Sequence, residues 1–214
     1  MKRLEGPVAG DAIPWVAGFA LFALVFANFQ WVPGVVFTLL AAGCVAAFFR
    51  NPDRNVPNGP GIVVAPADGR VIAVERMREE YFEFEDSIRV SIFMSVFNVH
   101  VNRMPISARM IDRRYHPGAF FVASRREASE RNERLALLIE GQGGVRLVVV
   151  QIAGIVARRI VCLLTPGKSL ERGERFGLIR FGSRLDVYLP ADTKMGIKVG
   201  DRTRAGETVM GVMP

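Results

Sequence analysis

The chain has 214 residues, a formal net charge of +7 and two histidines, His100 and His116. Half of its residues are hydrophobic and the mean hydropathy is +0.23, high for a soluble protein. The basic balance suits nucleic acid or an anionic membrane. With no zinc-ligand spacing, basic helix or aromatic-basic RNA motif, the composition argues against nucleic acid.

In chain order, the first feature is a run without charge between Asp11 and Arg50. It is longer than a secretory signal and no small-residue cleavage site follows it. The run predicts two apolar helices, roughly 13–29 and 34–49, broken at Gln30–Gly34 by Pro33 and Gly34. Trp31 suits an interfacial depth, and Lys2, Arg3, Arg50 and Arg54 flank the run. Positive charge on both sides predicts a hairpin with both ends cytoplasmic, at the cell (inner) membrane; spanning and dipping both satisfy the pattern. The alternative, a core hairpin of a soluble protein, needs more surrounding protein than this chain offers. Residues 1–50 are therefore expected to form a membrane-associated helical hairpin, and 51–60 (NPDRNVPNGP) a linker.

Residues 61–214 read as mainly β. Strands are expected at 61–65, 70–76, 88–96, 106–114, 135–140, 145–153, 155–164, 185–189 and 207–213. The polar stretch 123–134 predicts a short helix or a loop. An internal repeat pairs GKSLERGERFG (167–177) with GDRTRAGETVMG (200–211), each carrying a Gly-Glu pair six residues after its first glycine. Such glycines suit tight β turns, and APADGRVIAVE reads similarly. The expected fold is an N-terminal helical hairpin followed by a β-rich, barrel-sandwich-like domain. Exposed sheet edges permit a homodimer. Cys44 and Cys162 are expected to be buried thiols, not a disulfide.

Ligand spacings for zinc, a phosphate loop, a dinucleotide fingerprint and a nucleophile elbow are all missing from the sequence. The most informative segment is RFGLIRFGSRLDVYLP (175–190), where Gly182-Ser183 sits between two strand-like stretches. An activated serine can attack the preceding carbonyl and move the acyl group onto oxygen. Elimination then leaves a dehydroalanine, which hydrolyses to a pyruvoyl group with loss of ammonia. Alone, a Gly-Ser pair is most often a turn.

PADGRV (66–71), FMSVFNVHVNRMP (93–105), YHPGAF (115–120), NER (132–134), VQIAGIVARRI (150–160) and the 175–190 segment occur in that order. Together they resemble the phosphatidylserine decarboxylase family in its shorter prokaryotic form, over roughly residues 48–214. The resemblance implies self-cleavage between Gly182 and Ser183, giving a β chain (1–182) and an α chain (183–214) that remain partners. The family's Leu-Gly-Ser-Thr is Phe181-Gly182-Ser183-Arg184 here. It implies a covalent pyruvoyl cofactor derived from Ser183, no metal, and a phospholipid substrate that meets the pyruvoyl carbonyl through its serine amine, on an anionic membrane surface.

His100 matches the family's histidine motif and is the expected acid/base, while Arg103 stands where longer members carry a second histidine. Asp68, in PADG, is the expected carboxylate that orients an imidazole, although Asp-Gly is also a hairpin-turn signal. His116 is expected to be structural or cleft-lining. Arg113, Arg114, Arg158 and Arg159 are available to a lipid phosphate, with none preferred. The competing reading is a membrane-tethered, lipoyl-like carrier without catalysis, modified at Lys194. It gives no reason for the ordered segments. A pyruvoyl enzyme acting on a soluble amino acid would leave the apolar hairpin without a use.

Overall fold

The uncharged N-terminal run folds as two helices, α1 (Ile13–Asn28) and α2 (Val32–Phe48). The computed structural model describes residues 6–124, 127–154, 160–179 and 182–214. Contacts divide the chain into two compact units, Met1–Asp53 and Arg54–Pro214.

In the first unit, Leu21, Leu24, Phe29, Phe37 and Leu40 point outward from the helices. Gly10–Asn28 is a helical stretch of 19 residues with mean hydropathy 1.7, long and apolar enough to cross a membrane, and α2 is shorter at 17 residues. At 1.5 Å per residue each helix spans about 25 Å, near the thickness of a hydrocarbon core. The break differs from the expected one. Pro33 lies in the first turn of α2, where its missing N–H costs no helical bond, and the chain reverses at Gln30, whose φ is +54°. Gly34 instead makes room for Trp31: a Cβ there would lie 2.3 Å from the indole. Thr38 donates its hydroxyl to the Gly34 and Val35 carbonyls, which hides its polarity inside the hairpin. Backbone bonds from Ala9 N–H to Phe49 O (2.8 Å) and Asn51 N–H to Pro7 O (2.7 Å) bring both ends together.

The second unit begins with β1 (Ile62–Val64), β2 (Gly69–Glu79), β3 (Phe84–Met94), β4 (Val101–Arg103) and β5 (Ala108–His116). A single turn of helix, α3 (Ala128–Arg131), leads into β6 (Arg134–Gly141), β7 (Arg146–Ile152) and β8 (Ile160–Cys162). Then follow β9 (Ser169–Leu170), β10 (Arg175–Ile179), β11 (Ser183–Pro190), β12 (Lys194–Met195), β13 (Arg202–Thr203) and β14 (Val209–Val212). The residue pattern predicts no strand at β4, β9, β10, β12 or β13, most of which are too short to show a period. Part of the expected strand 155–164 lies outside the described residues.

The main sheet has eight strands in the order β13-β2-β3-β11-β7-β6-β5-β9. Two smaller sheets, β1-β14-β12 and β4-β10-β8, lie open beside it rather than closing as barrels. The fold is thus mainly β and sandwich-like, as expected. The core joins Ile92, Leu137, Val149, Leu185 and Val187 of the main sheet to Val63, Phe176, Ile179 and Met210 of the small ones. Along β11 the period of two is strict: Leu185, Val187 and Leu189 enter that core, while Arg184, Asp186 and Tyr188 face the other side.

The glycine repeat is a structural repeat. Gly167 and Gly200 donate to Met110 O and Val71 O, and Gly173 and Gly206 to Met104 O and Ala65 O. Each copy runs from a two-residue strand (β9, β13) through a turn to a longer strand (β10, β14). Both cysteines are free, but Cys44 is exposed on an outward helix face and only Cys162 is partly covered. An all-apolar helix leaves most of its positions outside a two-helix unit, so the expectation of a buried Cys44 fails.

Candidate active site

β11 is a central strand. It pairs with β3 from Ser183↔Met94 to Pro190↔Ser87 and with β7 from Arg184↔Ile152 to Tyr188↔Val148. This registry places Ser183 at the mouth of the sheet, opposite Met94, with Gly182 just beyond the last ladder bond.

Ser183 is fully buried, and its Oγ makes no hydrogen bond among the described residues. A buried hydroxyl left unpaired costs roughly 1–3 kcal/mol, and such exceptions gather at reactive positions. Gly182 has φ +62°, a left-handed backbone that disfavours a side chain, although a Cβ there would meet nothing within 4 Å. At Gly154 the constraint is steric instead. A Cβ on Gly154 would lie 1.9 Å from the Gly182 carbonyl oxygen. The Gly182 carbonyl therefore rests in a space that only glycine at 154 leaves open.

His100 follows a turn at Ser95–Asn98 that is locked by its own side chains. Asn98 Oδ1 accepts from the Ser95 N–H (2.9 Å) and Oγ (2.8 Å). The buried imidazole has Nδ1 3.0 Å from the Asn98 carbonyl. A carbonyl at that distance requires a proton on Nδ1, which leaves the lone pair on Nε2. Nε2 receives a long bond, 3.4 Å, from the Gly182 N–H. Pairing of β4 with β10 brings His100 there, since Val101 lies opposite Leu178 and Ile179 donates to the His100 carbonyl.

The structure thus brings His100, Gly182 and Ser183 together. Asp68 stands in another polar group: its carboxylate takes a bidentate bond from Arg54 (3.0 and 2.8 Å) and the Ala205 N–H at 2.7 Å. Arg54 also reaches Glu207 at 3.6 Å. Arg103 gives its guanidinium to the Gly173 carbonyl at 2.8 Å, which braces the first glycine repeat. Phe181, Arg158 and Arg159 lie outside the described residues. Arg113 bonds the Leu164 carbonyl, and Arg114 bonds the Tyr81 carbonyl and covers the Phe82 ring. His116 packs edge-on against Tyr81, and burial, then Arg134 and Arg114, lower its pKa.

Three further side chains surround the site. Gln151 pairs across from Leu185, and so shares the inner face with Ser183. Its amide donates to Asn102 Oδ1 at 2.8 Å, while its own Oε1 is buried without a hydrogen-bond partner among the described residues. Asn132 clamps the other wall: it bonds both the N–H and carbonyl of Phe121 (2.9 and 2.8 Å) and the Ala153 carbonyl (2.8 Å). Gly154, Gln151 and Asn132 all fall inside segments that carried the family resemblance. For Gln151 and Gly154 the signal was an amide and a glycine in an otherwise apolar run, while Asn132, in the polar stretch 123–134, carried none beyond the NER segment. No short motif assigns any of them a role.

The family profile described as phosphatidylserine decarboxylase matches residues 41–211. The chain belongs to the phosphatidylserine decarboxylase family. It is 50% identical over 212 residues to a phosphatidylserine decarboxylase proenzyme of Geotalea daltonii, covering 99% of each chain. The proenzyme of Geotalea uraniireducens is 46% identical over the full length of both, and that of Desulfotalea psychrophila 42% identical over 99% of both. The alignments to these relatives extend over the residues of α1 and α2, whereas the family profile begins at residue 41.

Proposed function

We propose that this chain converts phosphatidylserine to phosphatidylethanolamine and carbon dioxide, after cutting itself between Gly182 and Ser183. The observation that carries the reading is His100 Nε2 at the Gly182 N–H, one peptide before the bond to be cut, with the adjoining Ser183 hydroxyl buried and without a hydrogen bond among the described residues. His100 takes the Ser183 proton. The hydroxyl oxygen attacks the Gly182 carbonyl carbon, and the acyl group passes from nitrogen to oxygen. Elimination and hydrolysis then leave a Gly182 carboxylate, ammonia and a pyruvoyl group at residue 183. The Asn98 carbonyl holds the imidazole tautomer, the part a carboxylate takes in a serine triad.

The residues present fit that group. Ser183 supplies its atoms, Gly154 leaves space beside it, and Gln151 Oε1 offers an acceptor to the headgroup amine. The pyruvoyl carbonyl supplies the electron sink for decarboxylation. His100 is placed to return a proton to the substrate carbon, and the buried site keeps water from the reacting carboxylate. Asp68 supports the site at a distance, by tying the 54–68 segment to the 205 turn. The two products of the cut remain joined because β11 is held on both sides, and 183–214 contributes four strands to the sheets.

Residues 1–50 serve as the membrane hairpin, 51–60 as the linker and 61–214 as the catalytic domain, at the cytoplasmic face of the inner membrane. The outward apolar helices and the flanking positive charge support that placement. Intact-mass spectrometry of wild type beside Ser183→Ala tests the proposal. Two pieces meeting at 182/183, with pyruvoyl on the smaller and an uncut variant, are expected. An unmodified single chain in active wild type would overturn it.

A further inference from the structure

Two loop segments of the catalytic unit, each held by an asparagine side chain, flank the Gly182–Ser183 peptide, and both present apolar side chains to solvent. The first is the Ser95–Asn98 turn, directly after Met94, the partner of Ser183. Its side-chain lock leaves Val96 and Phe97 at the crown, 46% and 83% exposed. The same turn supplies the carbonyl that holds His100.

The second loop precedes α3. Ala123 is buried, 3.4 Å from the position a Cβ on Gly154 would take, so this loop lies over the site. Asn132 fixes Phe121 by two backbone bonds, yet the Phe121 and Val122 side chains are 37% and 38% exposed. The Arg131 guanidinium stands 4.7 Å over the Phe121 ring. Loops locked this tightly hold large apolar groups in water, which marks a contact surface. Aromatic rings beside a cation suit the interfacial layer of an anionic bilayer, and the chain's +7 charge adds to that attraction.

We infer that Val96–Phe97 and Phe121–Val122 form a lip that enters the headgroup layer of an anionic bilayer around the cleavage site. The catalytic unit then has a lipid contact of its own, separate from the hairpin. The inference rests on the proposed lipid substrate, whose headgroup must pass from bilayer to Ser183.

The test uses the full, self-processed chain on phosphatidylcholine/phosphatidylglycerol vesicles. With Cys44 and Cys162 replaced by serine, Phe97→Cys, Phe121→Cys and Glu85→Cys each carry an environment-sensitive fluorophore. Spin-labelled lipids are expected to quench the probe at 97 and 121 and spare the one at 85, an exposed strand position. Equal quenching at all three sites, or quenching that follows protein rather than lipid concentration, overturns the lip. A second readout is the ratio of turnover on bilayer phosphatidylserine to turnover on a dispersed short-chain analogue. Phe97→Asp with Phe121→Asp should lower that ratio roughly tenfold, since charged side chains disfavour interfacial insertion. An unchanged ratio again overturns the proposal. Wild type inactive on both substrates would strike the decarboxylase reading, while the quenching data would still decide the lip.

Discussion

Gly154→Ala should stop self-cleavage without unfolding the protein. The added methyl would sit 1.9 Å from the Gly182 carbonyl oxygen and 3.0 Å from its carbon. A carbon–oxygen contact needs about 3.3 Å, so the carbonyl must retreat by roughly 1.4 Å. In the proposed cleavage Ser183 attacks that carbonyl, and misplacement on the order of 1 Å at a reacting centre costs about 10²-fold in rate. The fold has little at stake, because Gly154 lies just past the end of β7 and the β7–β11 ladder ends at Ile152↔Arg184. Freshly synthesised chain would be followed by gel and intact mass for the fraction cut at 182/183. The thermal midpoint would be measured alongside. Cleavage at the wild-type rate would refute the argument that Gly154 makes room for the scissile carbonyl.

Two other outcomes follow from the outer face of the main sheet. Arg184 and Asp186 form a buried bidentate pair (2.6 and 2.9 Å), with Arg184 also bonded to Ser91 at 2.8 Å. Asp186→Asn should cost about 3–5 kcal/mol in unfolding experiments, because it strands a buried guanidinium; Arg184→Met with Asp186→Leu should recover much of the loss. A shift under about 1 kcal/mol for the single variant would count against the pair. His116 concerns pH. Its folded pKa lies below its ordinary value of 6.5, from burial and the neighbouring Arg134 and Arg114, so below pH 6.5 the unfolded chain binds more protons. Its contribution is complete above about pH 6.5 and is lost as pH falls through the folded pKa. The thermal midpoint of His116→Phe should fall less than that of wild type between pH 7 and 5. Parallel curves would contradict the shift.

Much was legible in the chain itself. An uncharged run from Ala12 to Phe49 fits two apolar helices, being longer than one bilayer crossing needs, and a repeat of Gly-Glu pairs announces repeated turns. Gly182-Ser183 and His100, which the fold brings together, could be named from ordered motifs, as could Asp68, which the fold instead ties to Arg54 and the Ala205 N–H. What neighbours what was not legible. His100 Nε2 beside a Gly182 N–H 82 positions later, the Ala205 N–H on Asp68 and the space at Gly154 for a carbonyl 28 positions later exist only in the folded chain. Local sequence determines which backbone shapes and side chains are available. Long-range pairing decides which of them share a site, because hydrogen-bond ladders and core packing act between residues that no short window contains.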